Sequence, residues 1–148
     1  AGVAKATLYA HFPSKDDLIL AVLRHREEAV LAFFHDAMRR HGRKTPLRAF
    51  FAALKEWFES PGFRGCAFQN AAIELADPGH PAAEFARGHK RRFADLLRGV
   101  VEGTVGTAGG LAPAVGLLVE GAIVTAVVQG SSAAADVARD AAARLVGE

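Results

Sequence analysis

The stretch Gly2-Val3-Ala4-Lys5-Ala6-Thr7-Leu8-Tyr9-Ala10-His11-Phe12-Pro13-Ser14-Lys15 decides the fold. A glycine turns the chain, a short helix runs from about Ala4 to His11, and Pro13-Ser14 breaks it. A second helix then starts at once. Ser14 is a good N-cap, and Asp16 and Asp17 fall in the first turn, where carboxylates suit the helix dipole. This order is the second half of a helix-turn-helix running straight into a long helix. Such a unit sets its second helix against DNA and needs a first helix to brace it. That bracing helix is expected ahead of Ala1, and a chain that truly began there is expected not to bind an operator.

Outward from this stretch every signal is helical. The long helix is predicted to reach about His41, with apolar residues Ile19, Val22, Leu23, Val30, Phe33, Phe34 and Ala37 at helical spacing. At ~1.5 Å per residue it is about 40 Å long, enough to join two separate parts of a molecule. Thr45 is read as an N-cap and Pro46 as the first residue of the next helix, which carries Leu47, Phe50, Phe51, Leu54, Trp57 and Phe58. A short helix follows Cys66 and runs to about Ala76. Further helices are predicted from about Pro81 to Val105, Ala112 to Gln129 and Ala133 to Val146. The class is all-α, about seven helices in bundle-like packing.

Composition narrows the functional classes. The 148 residues are 51% hydrophobic, enough for a folded core. The one cysteine, Cys66, excludes an internal disulfide and a cysteine metal cluster; a reducing, cytoplasmic setting fits. Residues 1–48 hold nine Lys/Arg against five Asp/Glu, and residues 49–148 hold nine against eleven. The basic end is the end with the candidate recognition helix, as a phosphate-facing surface requires. The run from Leu111 to Val128 is marginal in length for a span of ~20 apolar residues and contains Pro113, Gly116, Glu120 and Gly121. It is read as a buried helix of a soluble protein.

Ala1-Gly2-Val3, Thr7-Leu8-Tyr9, His11-Phe12-Pro13-Ser14-Lys15 and Leu18 resemble the TetR family of bacterial transcriptional regulators. The departures are small: Ala4 for the usual Ser, Ala6 for the usual Gly, and Ala10-His11 for a pair of ring residues. Arg64-Gly65-Cys66 through Glu74 resembles a segment common in one subgroup. The resemblance implies a TetR-like fold in two parts: residues 1–15 a remnant of the DNA-binding head, and 16–148 a regulatory bundle in which 111–148 are the dimerisation helices. It implies a homodimer on a palindromic operator, released by a small hydrophobic or aromatic effector. By position, Lys5, Ala6 and Thr7 would meet base edges, and Tyr9, His11 and Lys15 would meet phosphates. Leu8 and Phe12 are expected to pack the head itself.

The effector site is expected inside the bundle. Candidate walls are Phe34, Met38, Phe51, Leu54, Trp57, Phe58 and Phe68, with Phe33 and Cys66 beside them. Ordinary core packing is the plainer account of any one of these. Polar residues in apolar surroundings are better pointers, because burying them unpaired costs free energy; Asn70, Glu74 and Glu120 qualify. For the dimer seam the candidates are Leu117, Leu118, Gly121, Val124, Thr125 and Val128, on a helix too apolar for one chain to cover. His80, Glu84 and His89 lack metal-ligand spacing, and Arg87-Gly88-His89-Lys90-Arg91-Arg92 is read as a solvated helix face. No nucleophile–base pair, phosphate loop or cofactor signature is present, so an enzyme is not expected. Two alternatives stand beside the repressor: a TetR-like dimer that binds a ligand or partner without DNA, and a helical enzyme using Glu74 or Glu120.

Overall fold

The architecture is that of a computed structural model, which describes residues 7, 10–42, 44–106 and 110–148. Those residues form six principal helices and no strand: α1 (Lys15–Arg40), α2 (Pro46–Glu59), α3 (Ala67–Leu75), α4 (Pro81–Val105), α5 (Leu111–Gln129) and α6 (Ala133–Val146). Thr7, Ala10 and His11 are also helical, ahead of the Pro13-Ser14 break.

The start of α1 is fixed locally. The Asp17 amide donates to Ser14 Oγ at 3.1 Å, and the Ser14 amide donates to Asp17 Oδ2 at 3.1 Å, a complete capping box. Thr45 differs from expectation: its side chain makes no capping bond to α2. The Leu47 amide instead donates to Thr104 Oγ1 on α4 at 3.0 Å. A tertiary partner thus satisfies a donor that helix starts leave free. His80 caps α4 through Nδ1, which accepts from the Ala82 amide at 3.0 Å.

The core centres on Phe34 of α1, which is fully buried. Its ring stacks on Phe50 of α2 at 5.2 Å and meets Phe93 of α4 edge-on at 5.5 Å. Trp57 meets it edge-on at 5.9 Å. Three helices are therefore keyed to one ring, and such aromatic pairs contribute about 0.5–1.5 kcal/mol each beyond area burial. Helix α2 packs on α1, α4 and α6; α4 packs on α1, α3 and α5; α5 and α6 pack on each other.

Within the single chain α5 is buried on one side only, so the reading of it as a buried helix holds for that side alone. By length and composition α5 is the one described helix able to cross a membrane, and only 28% of its apolar window is buried within the chain. Val115, Val119, Ala122, Ile123 and Ala126 face inward. Leu117 is 77% exposed, Val124 53% and Val128 78%. A 3–4 spacing on a helix selects one side, so Leu117, Gly121, Val124 and Val128 form one outward stripe. Val137 of α6 is 71% exposed. The apolar excess that one chain cannot cover is thus an open face, not core.

Candidate functional site

A cavity of about 270 Å³ lies between α1, the Ser60–Cys66 loop, the start of α3 and α4, with Ile123 of α5 also lining it. Pockets for drug-sized ligands begin near 300 Å³, so this one suits a small molecule. Its deep walls are aromatic: Phe34, Phe68 and Phe93 are all nearly or fully buried. Trp57 and Phe63 form another wall, their ring centroids 5.1 Å apart.

The loop wall has a backbone requirement. Gly65 has φ +80°, and a Cβ placed there would come within 2.9 Å of Val127 Cγ2 on α5. Only glycine meets both conditions. Asn70 pins the same loop, donating from Nδ2 to the Arg64 carbonyl at 3.0 Å. The Arg64-Gly65-Cys66 segment is therefore a structural wall of the cavity.

His89 of α4 is the residue the sequence reading placed wrongly. It is 2% exposed, not on a solvated face. Its ring stacks on Phe68 at 3.5 Å between centroids, and its Nδ1 lies 3.0 Å from Glu27 Oε1 of α1. A carboxylate only accepts, so Nδ1 carries the proton and donates. Arg92 also donates to Glu27 Oε1, at 2.9 Å from Nε and 2.7 Å from Nη2. Burial holds the His89 imidazole below its ordinary 6.5, against the pull of Glu27. The ring is neutral at pH 7 and lines the cavity. The missed signal was spacing: Phe85, His89, Phe93 and Leu97 repeat every four residues on one helix face.

The sequence-derived pocket residues divide into two groups. Phe34, Trp57, Phe68 and Asn70 line the cavity, as does Cys66. Phe51 and Leu54 are buried in the core instead, because α2 has helices on several sides and aims only part of its apolar face at any one space. Phe58 sits one layer back, 5.0 Å from the Phe63 ring. Met38 lines a separate groove between α1 and α4. Glu74 is exposed and does not line the cavity. Glu120 also lies behind the wall: it accepts from Lys90 Nζ at 2.7 Å, and Gln69 Nε2 donates to it at 2.5 Å. Lys90 itself is a cavity residue.

Of the DNA-facing candidates, Lys5, Ala6 and Tyr9 lie outside the described residues. Thr7, His11 and Lys15 are exposed at the N-terminal end. Among the dimer candidates, Leu117, Gly121, Val124 and Val128 are exposed, and Leu118 and Thr125 are half-buried.

The family model for bacterial regulatory proteins of the tetR family matches residues 1–22. The fold matches the crystal structure of a TetR-family transcriptional regulator from Streptomyces coelicolor, with a TM-score of 0.81 and 32% identity. That match covers 99% of this chain and 80% of the other. The chain belongs to the TetR family. A structure described as a putative TetR transcriptional regulator from Streptomyces avermitilis also matches, with a TM-score of 0.71, 27% identity and coverage of 95% of this chain and 81% of that one. No curated protein sequence matches at a significant level. The all-helical bundle is a TetR-family transcriptional regulator fold, and both similar structures are described as transcriptional regulators. Within that fold, α1 starts directly after the Pro13-Ser14 break and also lines the cavity.

Proposed function

We propose that this TetR-family protein is a homodimeric, cytoplasmic repressor that binds a palindromic operator and releases it when a small molecule occupies the cavity. One observation carries the reading. Helix α1 begins at Lys15, within the family-matching residues 1–22, and supplies Val22, Arg26, Val30 and Phe34 to the cavity wall. A ligand seated there touches the same rod that holds the reading head. In this account Lys5, Ala6 and Thr7 meet base edges, while Tyr9, His11 and Lys15 meet phosphates. The outward stripe of α5, with α6 beside it, pairs two subunits about a two-fold axis. Two heads held by rigid rods then match two half-sites one DNA turn apart, at about 34–36 Å. A ligand that prefers another spacing lowers operator affinity by its differential binding to the two states.

Supporting this assignment are the charge division of the chain, the exposed apolar face and the aromatic-walled cavity. A gel-shift titration of the full-length protein on the DNA upstream of its own gene tests it. A salt-sensitive shift confined to a palindrome is expected. Absence of any shift at low salt would overturn the DNA-binding reading.

A further inference from the structure

Taking the cavity as the effector site, we infer that its ligand is a small amphipathic anion, an aryl or alkyl carboxylate whose apolar end lies against Phe34 and Phe68 and whose charge faces Arg26 and Arg64. The cavity is lined by three cationic side chains, Arg26, Arg64 and Lys90, and by no Asp or Glu. Such an imbalance in a largely apolar space favours negative charge.

The three cations are not equivalent. Lys90 is neutralised by Glu120, with both Glu120 oxygens 2.7 Å from its Nζ. Arg26 and Arg64 form no ion pair among the described residues. Glu27, the acid next to Arg26 in sequence, is occupied by His89 and Arg92. Two guanidinium groups therefore stand at the exposed rim with their charge uncompensated, above a floor of buried phenylalanine.

The backbone adds to the same field. Helix α3 starts at Ala67, and Cys66 makes no side-chain capping bond to it. Cys66, Ala67 and Phe68 all line the cavity. The free amides and positive dipole end of this helix thus border the space, a setting that favours a carboxylate. The volume limits the rest of the molecule. A dry cavity of about 150 Å³ accepts benzene, so one of about 270 Å³ has room for one ring, a short alkyl substituent and a head group. Because Arg26 is on α1 and Arg64 on the loop before α3, a bound carboxylate would tie the DNA-linked rod to the body of the bundle.

Trp57 is the single tryptophan and lines the cavity, so its fluorescence reports occupancy. The probes are 4-tert-butylbenzoate, its neutral amide, and the cation 4-tert-butylbenzylamine, titrated into the full chain. The carboxylate is expected to perturb Trp57 and to bind about tenfold or more tightly than the amide, the range of one charge-assisted hydrogen bond. The Arg26→Gln, Arg64→Gln double variant should reduce the carboxylate to the amide's affinity and leave the amide unchanged. Both positions are exposed, and an unchanged melting curve will confirm that the variant folds. Equal binding of carboxylate and amide, or tighter binding of the amine, would overturn the anion assignment while leaving the cavity as the effector site. If none of the three probes perturbs Trp57, the cavity reading fails, and the anion assignment with it.

Discussion

His89 joins α1 to the cavity wall through one buried ring. It gives Nδ1–H to Glu27 of α1 and its face to Phe68 of α3. Burial holds its pKa below 6.5 in the folded protein. Below pH 6.5 the unfolded chain takes up a proton here that the folded chain refuses. The unfolded state then binds more protons, so the His89 contribution to stability falls as pH drops from 6.5 toward the folded pKa and is constant above that window. His89→Gln removes this titration. Urea midpoints at about pH 7.5 and about pH 5.5 should therefore differ less in the variant than in the wild type. An equal loss in both would place the acid sensitivity elsewhere.

Single elements were legible in the sequence where their signals are local. Ser14 with Asp17, Pro46, the Ser60-Pro61-Gly62 stop and the Asp77–Pro81 break each act within a turn or two, and α1, α2, α3 and α4 begin and end within a residue or two of expectation. Thr45 shows the limit. Its residue type predicts a cap, but the donor it was meant to satisfy finds Thr104, far along the chain. Apolar residue type likewise located the core without dividing core from cavity. Phe51, Leu54 and Phe68 look alike in sequence, and only the placement of α4 and the Ser60–Cys66 loop puts Phe68 on the wall. Charged residues were hardest, because Glu27, Lys90 and Glu120 owe their roles to partners on other helices. At this scale the Ser14 cap gives a direct test. Ser14→Ala loses the capping box of α1 and should cost about 1 kcal/mol in urea denaturation. No change would mean that the first turn of the rod is held by its surroundings and not by its cap.

For the whole molecule, the open face of α5 and α6 and the cavity are two halves of one proposed device. Leu117 and Val128 are each more than three-quarters exposed in the single chain. Burying either fully against a second subunit would contribute about 1.5–3 kcal/mol, repeated by symmetry. Leu117→Arg combined with Val128→Arg is therefore expected to shift the protein from dimer to monomer in sedimentation velocity. The fold should persist, because neither side chain belongs to the core. A variant that stays dimeric would move the subunit interface off this stripe. The central claim is that cavity occupancy and DNA affinity are coupled through α1, and the most direct measurement is operator affinity by fluorescence anisotropy on the full-length protein, with Trp57 fluorescence read in the same samples as the cavity is saturated with a small aromatic carboxylate. The account predicts an operator affinity weakened by about 5- to 150-fold, the usual range of allosteric coupling, with a midpoint that coincides with the Trp57 signal. A saturated cavity with unchanged operator affinity would contradict it.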